Sequence, residues 1–225
     1  MIRHLFYKEW IKTRWAFFAS LAVGAAVIFY IFTMAENRMT MLGAKEYMLS
    51  VLYDNPPKIY YSWLQYIPLL GAVCIGVAQY VPEIKNRRIR LTMHLPVDNR
   101  KLIASMALFG LMLITILNAL LFGFFEYENH TLFPAEITRP VTATVINWFL
   151  ASYLAYNYIG MTAMEPNGYR KLTYAVTGLI LLSLYYNSVD FHGANSGSTW
   201  FLAVIAVLSC PLVLFSTHRL NKGDR

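Results

Sequence analysis

Glu83 heads a stretch in which Lys85, Arg87, Arg88 and Arg90 set four basic groups behind one carboxylate. Residues of these types neither attack nor activate a substrate. They pair with acidic groups of a partner protein or with an anionic lipid surface, so the chemistry on offer is docking. Ile84, Leu91 and Leu95 recur at helical spacing, leaving Lys85, Arg87 and Arg90 to other faces, and this predicts a short amphipathic helix. Pro96 disfavours helical geometry at Leu95 and ends it, and Asp98 is placed to cap the helix that follows.

The remaining reactive side chains form no catalytic pattern. His4, His94, His130, His192 and His218 are isolated and read as interfacial or loop residues. There is no His-Glu-x-x-His, no Gly-x-Ser-x-Gly elbow and no Gly-rich stretch ending in Gly-Lys-Ser/Thr, so no nucleotide hydrolysis, metal or cofactor is expected in this chain. Cys74 and Cys210 lie in apolar stretches and read as small buried side chains. Uncharged polar residues do cluster by helix face: Thr115 with Asn118, Tyr153 with Tyr156 and Asn157, and Ser183 with Tyr186 and Asn187. Two readings stay open for them. They hydrogen-bond between helices, or Asn118, Tyr153, Asn157, Tyr186 and Asn187 line a pathway.

Six apolar stretches free of charged residues in their interiors must position these groups: Trp15–Ala35, Ile59–Pro82, Leu102–Phe125, Pro140–Met164, Leu172–Val189 and Gly193–Thr217. Most exceed the roughly 20 residues that a helix needs to cross about 30 Å of hydrocarbon. Their continuous apolar character excludes a membrane barrel, whose strands alternate. The expected fold is therefore an all-α integral membrane protein with six transmembrane helices in a single domain over residues 1–225. The absence of ionisable groups from the stretches argues against an ion or proton relay.

Charge sets the orientation. Of the 19 Lys and Arg, four precede the first stretch, six lie between the second and third, two follow the fourth and three are in the tail. Only Arg38, Lys45, Lys58 and Arg139 fall on the other side, so both termini and the basic loop at residues 83–101 are expected in the cytoplasm. The formal net charge of +7 is then an orientation signal, and with 57% hydrophobic residues no soluble segment is long enough for a nucleic-acid-binding surface. Before the first stretch, Ile2, Leu5, Phe6 and Trp10 share one helical arc that Glu9 and Thr13 interrupt, with Lys8 and Lys12 outside it. Residues 1–14 are expected to form an interfacial helix against lipid headgroups. Ser20-x-x-x-Gly24 and Ala72-x-x-x-Gly76 put small residues where backbones can approach, and Glu165-Pro166-Asn167-Gly168 predicts a tight turn between antiparallel neighbours. The segment from Glu126 to Arg139 is expected to be a short acidic outer loop.

Glu83, the basic amphipathic stretch, the Leu95-Pro96-Val97 break and Arg100 before the next apolar run resemble the first cytoplasmic loop of type 2 ATP-binding-cassette exporter permeases. Phe6-Tyr7-Lys8-Glu9-Trp10 is similar to that family's connecting helix. The resemblance implies a permease subunit in a bacterial cytoplasmic (inner) membrane. It implies a coupling helix carrying Glu83, Arg87, Arg88, Arg90 and Leu91 that docks on a separate cassette ATPase, present in two copies and using ATP and Mg. It also implies a second permease subunit, identical or paralogous. A lipid-modifying membrane enzyme and a non-transporting sensor or immunity subunit are the rival classes; neither brings a motif of its own.

Overall fold

The computed structural model describes residues 2–53, 59–85, 99–187 and 199–211, and among these residues there is no strand. Helix α1 runs from Ile2 to Leu42 without interruption. Gly43 ends it with φ +91°, a conformation that favours glycine, and donates its N–H to the Met39 carbonyl at 3.0 Å. After this turn come α2 (Ala44–Tyr53), a 3-10 turn (Ser62–Tyr66) and α3 (Ile67–Lys85). The chain then forms α4 (Asn99–Leu132), α5 (Ala135–Met164), α6 (Gly168–Asn187) and α7 (Thr199–Pro211).

Among the described residues, three segments are long and apolar enough to cross a membrane: His4–Leu42, Ser62–Lys85 and Leu102–Leu132. They hold the first three apolar stretches of the sequence. The described parts of the later ones are helical too, but α5 carries Thr142, Thr144, Asn147, Ser152 and Asn157, which dilute its apolar character. These polar side chains turn inward: Thr144, Asn147 and Ser152 are fully buried, while Leu108, Met112, Ile116 and Leu120 form an exposed row along α4. Polar groups inside and apolar groups outside invert the arrangement of a water-soluble bundle and are compatible with lipid as the surrounding solvent.

Helix α3 is the axis of packing, with α1, α4 and α5 against it, and α6 lies beyond α5. The small residues act as expected. A side chain at Gly24 would collide with Leu121, and one at Gly76 would meet Ile159, so bare backbone lets α1 approach α4 and α3 approach α5. The turn of residues 165–167 is tight, and Asn167 Oδ1 accepts the Tyr169 N–H at 3.0 Å, capping the start of α6. Its neighbours α5 and α6 pack together.

Two stretches differ from expectation. The acidic outer loop is helical almost throughout, since α4 reaches Leu132 and α5 begins at Ala135. Glu126 accounts for part of this: it accepts a 2.8 Å hydrogen bond from Thr142 on α5 and lies 3.4 Å from His130 one turn along α4. At the N-terminus, residues 2–14 form the first turns of α1 instead of a separate element, and Glu9 and Thr13 are the positions turned inward.

Candidate functional site

Four charged side chains meet at the end of the bundle where α1 begins and α3 ends. Lys8 and Lys12 stand one turn apart on α1, and Glu83 lies in the last turn of α3. Glu83 Oε1 accepts from Lys8 Nζ at 2.9 Å and from Lys12 Nζ at 2.8 Å, and Lys12 also reaches Glu9 Oε1 at 2.6 Å. Both carboxylates are almost wholly buried, at 2% exposure for Glu9 and 3% for Glu83. Two ammonium groups facing two carboxylates make the cluster electrically balanced. That balance is what a buried ionic group requires, because desolvation would otherwise neutralise it.

The cluster also touches α4. Lys8, Glu9, Glu83, Leu102, Ile103 and Met106 enclose a void of only about 10 Å³, so three helices are close-packed around the carboxylates. Phe6 adds a ring contact to Phe109, with centroids 5.2 Å apart. One turn deeper, a chain of hydrogen bonds crosses α3, α5 and α4. The Tyr80 hydroxyl donates to the Tyr156 hydroxyl at 2.9 Å, and Tyr156 donates to Gln79 Oε1 at 2.7 Å. Gln79 Nε2 then donates to the Met106 carbonyl at 2.7 Å. All three side chains are fully buried, where polarised hydrogen bonds in series gain strength. Two glycines make the room: a Cβ on Gly110 would strike the Tyr156 hydroxyl and Gln79 Oε1, and one on Gly160 would lie 2.8 Å from the Tyr80 ring.

The residues singled out in the sequence fall into three groups. Glu83, Lys8 and Glu9 are joined in the ionic cluster, and Trp10 packs nearby against Phe17 and Phe18 with centroids 6.1 and 5.9 Å away. Arg87, Arg88, Arg90 and Leu91, with the expected break at Pro96, lie outside the described residues. The polar-face residues are dispersed along the bundle. Asn118 donates to Ser152 Oγ at 2.8 Å, Tyr153 to Thr115 Oγ1 at 3.2 Å, Asn157 to Ser209 Oγ at 2.7 Å and Tyr186 to the Gln65 carbonyl at 2.9 Å. Asn187 is exposed at the end of α6.

Asn118 and Tyr153 also line a groove of about 220 Å³ between α4 and α5, otherwise walled by Phe122, Phe149 and neighbouring apolar residues. Asn118 Oδ1 is buried without a hydrogen-bond partner. For this pair the two readings left open by the sequence coincide, since the same side chains bond across helices and face a groove. Gln79, Tyr80 and the Tyr156 link were not singled out as a network. The available signal was Gln79 and Glu83 at i and i+4 on one helix, facing Lys8 and Lys12 at the same spacing on another.

Among the described residues, no three His, Cys, Asp or Glu side chains come together as metal ligands. The fold and the cluster define an all-helical protein with three candidate membrane-crossing helices, pinned at one end by buried ions. No protein-family model, curated protein or solved structure matches the chain.

Proposed function

We propose that this chain is the membrane-spanning permease subunit of an ATP-driven exporter of the type 2 cassette class. In this reading six helices cross a bacterial cytoplasmic membrane, both termini are cytoplasmic, and two permease subunits enclose the pathway. A separate cassette ATPase in two copies, with its ATP and Mg, drives the cycle. The observation that carries the reading is the anchoring of the basic loop. That loop leaves α3 two residues after Glu83, and the first turns of α1 hold Glu83 through Lys8 and Lys12. A loop that receives force from a partner must be fastened to the helices it moves, and buried ion pairs resist displacement because separating them strands a charge.

Glu83 then acts as an anchor inside the permease, and docking falls to Arg87, Arg88, Arg90 and Leu91. The groove at Asn118 and Tyr153 is the candidate for contact with substrate. Supporting evidence is the resemblance of the loop, the charge asymmetry and the inward polar faces. The test is purification of the tagged chain from its native membrane in mild detergent, with assay of co-eluting ATP hydrolysis. An ATPase should elute with the wild type and be lost from Leu91→Asp, while membrane insertion is unchanged. An intact wild-type chain that elutes without any ATPase overturns the proposal. Hydrolysis that no substrate stimulates would favour a sensor using the same partner.

A further inference from the structure

The end of α1 opposite the ionic cluster holds a second polar feature. Tyr30, Arg38, Tyr47, Tyr60, Ser62 and Trp63 contribute to the wall of a pocket of about 120 Å³ formed by α1, α2 and the 3-10 turn. From Glu9 to Arg38 the helix advances about 43 Å at 1.5 Å per residue. A bilayer with its headgroups is about 40–45 Å thick. With the cluster at one headgroup level, Arg38 stands at the other.

Arg38 brings a positive charge to the pocket wall. Arg38 has Met34, Ala35, Met41 and Leu42 as its helical neighbours, none of them acidic. Among the described residues no carboxylate lies within ion-pair distance of it. Tyr47 is 2% exposed, and its burial pushes the hydroxyl above its ordinary value while the charge of Arg38 works against that rise. The opposite wall is fixed: Tyr60 stacks on Phe133 at 4.6 Å and donates to Asn129 Oδ1 at 2.6 Å. Aromatic walls alone would suit a quaternary ammonium group, but the guanidinium excludes a cation. The volume suits a headgroup and falls well below the roughly 300 Å³ at which pockets for drug-sized ligands begin.

We infer that this pocket binds a phosphate-class oxyanion at headgroup level. The Arg38 guanidinium grips two of its oxygens, the Tyr47 hydroxyl donates to it, and the Tyr30 and Trp63 rings cover the body that carries it. The oxyanion comes from a phospholipid headgroup or from free phosphate. The inference stands apart from the permease reading, since it uses only the pocket formed by the end of α1, α2 and the 3-10 turn and needs no ATPase.

The test is calorimetric titration of the purified full chain with dihexanoyl-phosphatidylglycerol and, separately, with inorganic phosphate. Arg38→Gln should weaken binding about tenfold or more, the loss that goes with one charge-assisted hydrogen bond, and Arg38→Lys should recover part of it. Tyr47→Phe keeps the ring and should weaken binding by a smaller factor. Arg139→Gln, an exposed outer arginine away from the pocket, should bind as the wild type does. Arg38-dependent binding of the lipid alone identifies a headgroup site, and equal binding of inorganic phosphate identifies a free-oxyanion site. The inference fails if neither probe binds the folded wild type, or if Arg38→Gln and Arg139→Gln behave alike.

Discussion

Lys12 Nζ stands 2.8 Å from Glu83 Oε1, a contact across 71 positions that fastens the first turns of α1 to the last turn of α3. Removing either partner leaves an ion in a nearly closed site, and Lys12 is shared with Glu9. Glu83→Gln and Lys12→Gln should each lower stability by about 3 kcal/mol. Because the two residues share one network, the double variant should lose less than the sum, with a coupling of about 1–3 kcal/mol. Unfolding of the detergent-solubilised single and double variants measures this, and strictly additive losses would refute the clamp.

A second expectation concerns space one turn deeper. Gly110 sits where any Cβ would meet the Tyr156 hydroxyl and Gln79 Oε1. Gly110→Ala should therefore cost about 1–3 kcal/mol by overpacking, despite alanine's better helix propensity. Tyr156→Phe breaks the link between Tyr80 and Gln79 and should cost about 1 kcal/mol. Combined, the two should cost less than their sum, because removing the hydroxyl relieves part of the collision. A Gly110→Ala variant as stable as the wild type would show that α3, α4 and α5 are not locked at this level.

How far these features could be read from sequence depends on whether they are local. The turn at residues 165–167 was legible because Pro166, Asn167 and Gly168 act on their own backbone. The small-residue approach at Gly24 and Gly76 was legible from spacing. The inward rotation of Glu9 was not. It broke an apolar arc in the sequence, and its burial is made tolerable by Lys12 one turn along the same helix, whose ammonium group works against the like charge of Glu83. The Gln79–Tyr156 bond was hidden for the same reason, since it depends on the relative rotation of α3 and α5 and on the space at Gly110. The polarity of the segment near Glu126 points to a loop, and its helical form rests on Thr142, which lies 16 residues away.

Orientation yields a third expectation. Met41 is 84% exposed at the C-terminal end of α1, and Tyr169 is 77% exposed at the start of α6. In a background lacking Cys74 and Cys210, Met41→Cys should react with an impermeant thiol reagent added to intact cells. Tyr169→Cys should react only after permeabilisation, because the basic residues cluster on its side of the chain. Labelling in the reverse order would invert the topology and detach the basic loop from any cytoplasmic ATPase.

The last expectation separates the two roles that Asn118 combines. Its Nδ2 bonds Ser152 on α5 while its Oδ1 stays buried without a partner beside the groove. If the side chain serves only to join helices, Asn118→Leu loses a bond worth about 0.6 kcal/mol and relieves an unsatisfied oxygen. Stability should then change little, and transport should persist. If the groove receives substrate, the same change removes its main polar feature and should alter transport while the protein stays folded. Tyr153→Phe supplies the control, since it removes the bond to Thr115 at the groove rim and keeps the ring. Transport altered by Asn118→Leu at unchanged thermal stability, with a smaller effect from Tyr153→Phe, is the expected result. Normal transport in both variants would move the pathway away from α4 and α5.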